Sequence, residues 1–103
     1  MARCLCLVVL VASAGSVRGQ DSATSANSIV GGCRDYIAKK ESDVLQGYCI
    51  GMVEGLIYNL SICLPGGVTR AQTIRVVVQY IDSQPARLHE DFRSLAMEAL
   101  LKT

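Results

Sequence analysis

Residues 69–81 read TRAQTIRVVVQYI, and whether this stretch is a helix or a strand decides the fold class. The three valines at 76–78 would suit a strand in isolation, because β-branched side chains favour pleated backbone. Two features around them outweigh that preference. Thr69 followed by Gln72 is a T-x-x-Q capping box, in which each side chain can satisfy a backbone N–H left free at a helix start. Ile74, Val77, Val78 and Ile81 then recur at i, i+3, i+4 and i+7, one face of a 3.6-residue repeat. The stretch is predicted helical, and Pro85, which cannot continue the ladder, ends it.

Working outward, the same period recurs on both sides. Toward the N-terminus, Asp43 can cap a helix reaching about Leu60, with Gln46 placed as in a capping box. Leu45, Cys49, Met52, Val53, Leu56, Ile57 and Leu60 form its expected buried side. Before it, Ser28–Lys39 carries Ile29, Cys33, Tyr36 and Ile37 on one face. The breakers Pro65, Gly66 and Gly67 separate the second and third helices. A last helix is expected from about Glu90 to Leu101, burying Leu88, Phe92, Leu95, Ala99 and Leu100 while Arg93, Glu98 and Lys102 face water. No run alternates long enough to be a strand, so the expected fold is all-α, a compact four-helix domain.

The N-terminal residues bear on the compartment. Arg3 precedes an unbroken apolar run, Leu5–Ala12, and small residues follow to Gly19. The run is well short of the roughly 20 residues that cross a bilayer, so 1–19 reads as a cleaved signal peptide. Cleavage after Ala14 or after Gly19 fits, the second better. Cys4 and Cys6 would leave with it. Residues 20–28 read as a flexible polar leader, and 29–103 as the folded domain.

Removing Arg3 and Arg18, which precede every acidic residue, takes the formal charge from +1 to −1. With no basic run and no Trp, nucleic acid is an unfavourable partner. No Gly-rich phosphate loop follows a strand, and no cofactor is expected. Once the signal is removed, no membrane association is expected either.

A domain this small usually needs a covalent staple. If the first two helices form a hairpin turning near Glu41–Ser42, Cys33 lies about eight residues before the turn and Cys49 about eight after. At about 1.5 Å per residue they reach the same height, and a disulfide between them is expected. Cys63 is then left over; it can pair between two chains, stay buried, or lack its partner. A nucleophilic Cys63 activated by His89 would need a third group to orient the imidazole, and nothing local supplies one. The cysteine spacings also lack the close pairs of structural zinc sites. The chain is not expected to be an enzyme.

Gly47, Gly51 and Gly55 recur every fourth residue along the second helix. Each costs up to about 1 kcal/mol relative to alanine, so the stripe calls for a reason: close packing inside the chain, or a dimer contact. Glu54 and Asn59 in the same helix argue against a membrane dimer.

The stretch 47–55, GYCIGMVEG, resembles the Y-C-x-G-x-x-x-G helix of the Rap/Tai family. The resemblance continues through Cys63–Thr69 and Gln72, Arg75–Val78, and Pro85–Glu90, covering nearly all of the domain after the signal. It implies a small exported helical protein of the type that serves as immunity protein in type VI secretion. Such proteins bind and block cell-wall amidase effectors in the periplasm, typically as homodimers. The resemblance also implies that Cys63 lacks the partner of a second disulfide, since members commonly carry a cysteine just after the last helix. Exposed loops carry specificity on rigid scaffolds, and the loops 59–68 and 82–91 are the expected partner surfaces, with Gln84, Arg87, His89 and Glu90 as candidate contacts. A different class, a periplasmic chaperone that exposes apolar surface in acid, is the alternative.

Overall fold

The computed structural model describes residues 22–60 and 63–102; the predicted signal peptide lies outside the described residues. Among the described residues four helices follow one another: α1 Ala26–Ile37, α2 Val44–Asn59, α3 Arg70–Asp82 and α4 Phe92–Lys102, with a 3-10 turn, Pro85–Arg87, before the last. Among the described residues there is no strand, only an isolated bridge between Ser25 and Asp91. α1 packs against all three other helices, and α4 against α2 and α3 as well.

The helix that decided the fold class starts as its sequence requires. The Thr69 N–H donates to Gln72 Oε1 (2.7 Å) and the Gln72 N–H to Thr69 Oγ1 (3.1 Å). Ile74, Val77, Val78 and Ile81 are buried, as the spacing predicts. They meet Ile29, Cys33, Cys49, Val53, Phe92, Leu95 and Ala99 in one core. Phe92, the only phenylalanine, is fully buried at its centre.

The Cys33–Cys49 disulfide forms, with the two Cα atoms 5.4 Å apart. Beside it lies a close approach that the sequence did not signal. A Cβ at Gly32 would stand 2.9 Å from the Gln46 backbone nitrogen and closer still to the Leu45 carbonyl. Gly32, buried in α1, is where the two helix backbones touch.

Three local expectations are revised. α1 begins at Ala26, capped by buried Ser25, whose Oγ accepts from the Ser28 N–H (3.2 Å), so residues 22–27 belong to the fold. Asp43 caps α2, but the Gln46 side chain does not close the box. It is buried, and its Nε2 donates to the Glu41 carbonyl (2.7 Å), tying the α1–α2 turn. The last helix starts at Phe92 rather than Glu90, because Glu90 and Asp91 are engaged with the residues that lead into α1: the Ala26 N–H donates to the Glu90 carbonyl (2.7 Å) and the Phe92 N–H to the Thr24 carbonyl (2.8 Å).

Candidate functional site

Two surfaces hold the residues of interest. The first is the turn between α3 and α4. Its backbone is stitched to the start of α1 by the Ala26 and Asn27 N–H groups, which donate to the Glu90 and Leu88 carbonyls. Its side chains are fixed by Arg87, whose guanidinium makes two forks. Nε and Nη2 donate to Glu90 (3.0 and 2.9 Å), and Nη1 and Nη2 to Glu98 of α4 (2.9 and 2.7 Å). Tyr80 Oη of α3 donates to Glu98 Oε1 (2.6 Å) and accepts from Lys102 Nζ (3.1 Å), whose ammonium also lies 5.1 Å from the Tyr80 ring centre. Bidentate guanidinium–carboxylate pairs of this kind are the strong members of their class. The network joins α3, the turn and α4.

Of the predicted contacts in this turn, Arg87 and Glu90 are therefore paired with each other, and the Gln84 amide donates to Ser83 Oγ (3.2 Å). His89 alone of the four is exposed. Lys102 faces water as expected while reaching Tyr80, but Glu98, expected to face water, is half-buried in the network. Nothing in the local sequence marks them, because Tyr80 and Glu98 meet across two helices. Only the i, i+3 spacing of Arg87 and Glu90 carried a signal.

Donation from Arg87 and Tyr80 pushes the Glu98 carboxyl down to about 2, and Arg87 also lowers Glu90. A carboxylate depressed in the folded state contributes stability that is complete above its unfolded value and lost as pH falls toward its folded one. The Glu98→Gln variant should thus be less stable than the parent at pH 7. The gap in unfolding midpoint should persist to about pH 4.5 and close toward pH 2. A gap unchanged across that range, in thermal melts at each pH, would show that Glu98 is not held as the network requires. The direction also opposes opening of this turn in mild acid, the behaviour expected of an acid-triggered chaperone.

The second surface is the outside of α2 with the loop after it. Around Gly47, Gly51 and Gly55 a Cβ would meet nothing within 4 Å, so among the described residues no neighbour needs glycine there. Val44, Tyr48 and Tyr58 flank them and are 75%, 55% and 84% exposed. Leu60, expected on the buried side, is exposed, because the helix ends beyond the core. Glu54 pairs with Arg70 at 2.6 Å. Where the loop meets α3, a shallow groove of about 360 Å³ runs between Val53, Ile57, Tyr58, Leu64, Val68 and Thr73. A second of about 390 Å³ is lined by Cys63, Leu64, Val68, Gln72, Val76 and Leu100.

Cys63 is an exposed free thiol. It lies by the start of α3, whereas His89 follows that helix's end. The 13-residue helix between them is about 20 Å long, so the two are not brought together as a nucleophile and its base. Cys33 and Cys49 are consumed by their disulfide, and among the described residues no group of His, Cys, Asp or Glu is placed to hold a metal. Among the same residues no helix is long and apolar enough to cross a membrane.

Residues 21–103 match the model of a protein family described as Rap1a immunity proteins. No curated protein and no solved structure matches the chain.

Proposed function

Since the chain belongs to the family of Rap1a immunity proteins, we propose that it is a periplasmic immunity protein that inhibits a peptidoglycan amidase effector of type VI secretion by occluding its active-site cleft, and that it works as a homodimer. The family match carries this reading: immunity implies an effector protein as partner, and occlusion requires no chemistry from the inhibitor. The match begins at residue 21, just after the cleavage predicted at Gly19, which supports export behind the N-terminal signal.

The α3–α4 turn is the proposed point of insertion. Its backbone is tied to α1 and its side chains are clamped by Arg87, so binding need not pay to order it. His89 is the proposed contact, with Gln84, Arg87 and Glu90 positioning it. In gel filtration, the chain should co-elute with the exported product of the gene next to its own. His89→Ala should weaken that complex about tenfold without changing the melting temperature, as loss of one interface anchor does. Full affinity in the variant would remove the turn from the interface; no complex with the parent would reject that partner.

A further inference from the structure

His89, the proposed contact, stands between two carbonyls that are held from outside the turn. The Asn27 N–H donates to the Leu88 carbonyl (2.9 Å) and the Ala26 N–H to the Glu90 carbonyl (2.7 Å). These donors are the first two N–H groups of α1, which find no acceptor within their own helix. A return bond runs from the Phe92 N–H to the Thr24 carbonyl (2.8 Å), so that Ser25 and Asp91 face each other in an antiparallel bridge.

The segment that brings these groups in is itself built. The Ser28 hydroxyl donates to the Ser22 carbonyl (2.9 Å), the Ser25 hydroxyl to Ser28 Oγ (3.0 Å) and the Thr24 N–H to Ser22 Oγ (3.3 Å). Short hydroxyl side chains here bond nearby backbone and fold the chain into a hook, and Ser25 and Ala26 end fully buried. A Ser-, Ala- and Thr-rich composition that reads as a solvated leader is therefore part of the scaffold.

We propose that residues 22–27 are the positioning segment of the partner-binding turn: they fix the peptides on either side of His89 and act on the partner only through it. This rests on the turn as the point of insertion. Arg87 holds the side chains of Glu90 and Glu98, whereas the first turn of α1 holds the backbone from which His89 projects. A contact and a positioning segment leave different kinetic marks. Loss of a contact speeds dissociation. Loosening the turn lowers the fraction of molecules ready to bind, and association slows by that fraction.

Ala26→Pro cuts the segment from the turn. Proline is favoured at the first helical position, and Ser25 before it, at φ −66° and ψ 158°, has the extended backbone that proline requires of its predecessor. The ring carbon replaces the hydrogen that reaches the Glu90 carbonyl. In hydrogen exchange on the full chain, the Asn27 and Phe92 amides should lose protection while those of α3 stay as slow as in the parent. Association with the exported product of the neighbouring gene should slow about tenfold, as for a docked shape held by one molecule in ten, with dissociation unchanged. His89→Ala should instead speed dissociation. Ser25→Cys combined with Asp91→Cys, in a Cys63→Ser background, should form a bond on mild oxidation, since residues facing each other between two such hydrogen bonds lie about 4.5 Å apart at Cα, within reach of a disulfide. That bond should restore the association rate lost in Ala26→Pro. Amides as protected in Ala26→Pro as in the parent, or cysteines that do not join, would overturn the docking of the segment. Unprotected amides with a parental association rate would overturn its positioning role and leave the docking intact. No complex with the parent would reject that partner and the positioning role with it, while the exchange data would still decide whether the segment holds the turn.

Discussion

Replacing Cys33 and Cys49 together by alanine is expected to lower the unfolding midpoint by roughly 12–24 °C. The bridge joins residues 16 apart in sequence, and closing a loop of that length disfavours the unfolded chain by about 3 kcal/mol in the chain-entropy account. In a domain of this size each kilocalorie moves the midpoint by about 4–8 °C. Both sulfurs are fully buried between α1 and α2, so the alanines also forfeit some packing. Reducing the parent with dithiothreitol should reproduce most of the drop, and the double variant should not respond to the reductant. A parent indifferent to reduction would mean that α1 and α2 are held without the bond.

Gly32→Ala should be nearly as damaging, by about 2–3 kcal/mol, the strain expected of an overpacked core. Alanine is the better helix former by about 1 kcal/mol, and at an open position the change would stabilise. At Gly32 the new methyl would press on backbone, the Leu45 carbonyl and the Gln46 nitrogen, and backbone cannot rotate away as a side chain can. Relief requires α1 and α2 to move apart right beside the disulfide that joins them. Gly47→Ala is the control: its methyl meets nothing, so it should leave the monomer's stability unchanged or raise it by up to about 1 kcal/mol. Chemical denaturation of the two variants decides the matter. Equal midpoints would show that the close approach at Gly32 does not exist.

Those two glycines also show what could and could not be read from sequence. The every-fourth repeat at 47, 51 and 55 is visible by eye, but whether it faces the core or solvent was not. α2 is apolar on nearly every side, with Glu54 its one charge, so its period has no polar face to fix a direction. Gly32 belongs to no repeat, and its role exists only once α2 is folded back on α1. Where the signal was local the sequence was sufficient. Thr69 and Gln72 cap each other as their spacing demands, and hairpin arithmetic brings Cys33 to Cys49. Where two elements compete for one group it was not. Gln46 had the position of a capping-box partner, yet its amide goes to the Glu41 carbonyl, because Gln46 is buried and its N–H would be costly to leave unpaired.

The turn after α3 divides along the same line. Its residues were legible as an exposed polar turn from Pro85 and its neighbours. That Arg87 would be committed to Glu98, leaving His89 as the exposed member, depends on how α4 returns past α3. Rigidity of the scaffold and exposure of one side chain are thus properties of the packing, and both bear on how the turn would enter a partner's cleft.

Effector binding is tested most directly by survival. The full chain, with its own signal, would be co-expressed with the exported product of the neighbouring gene in cells that this product lyses. Rescue of growth by the parent, reduced by His89→Ala at equal periplasmic protein levels, is the expected result. Lysis despite abundant folded protein in the periplasm would contradict the immunity role toward that partner.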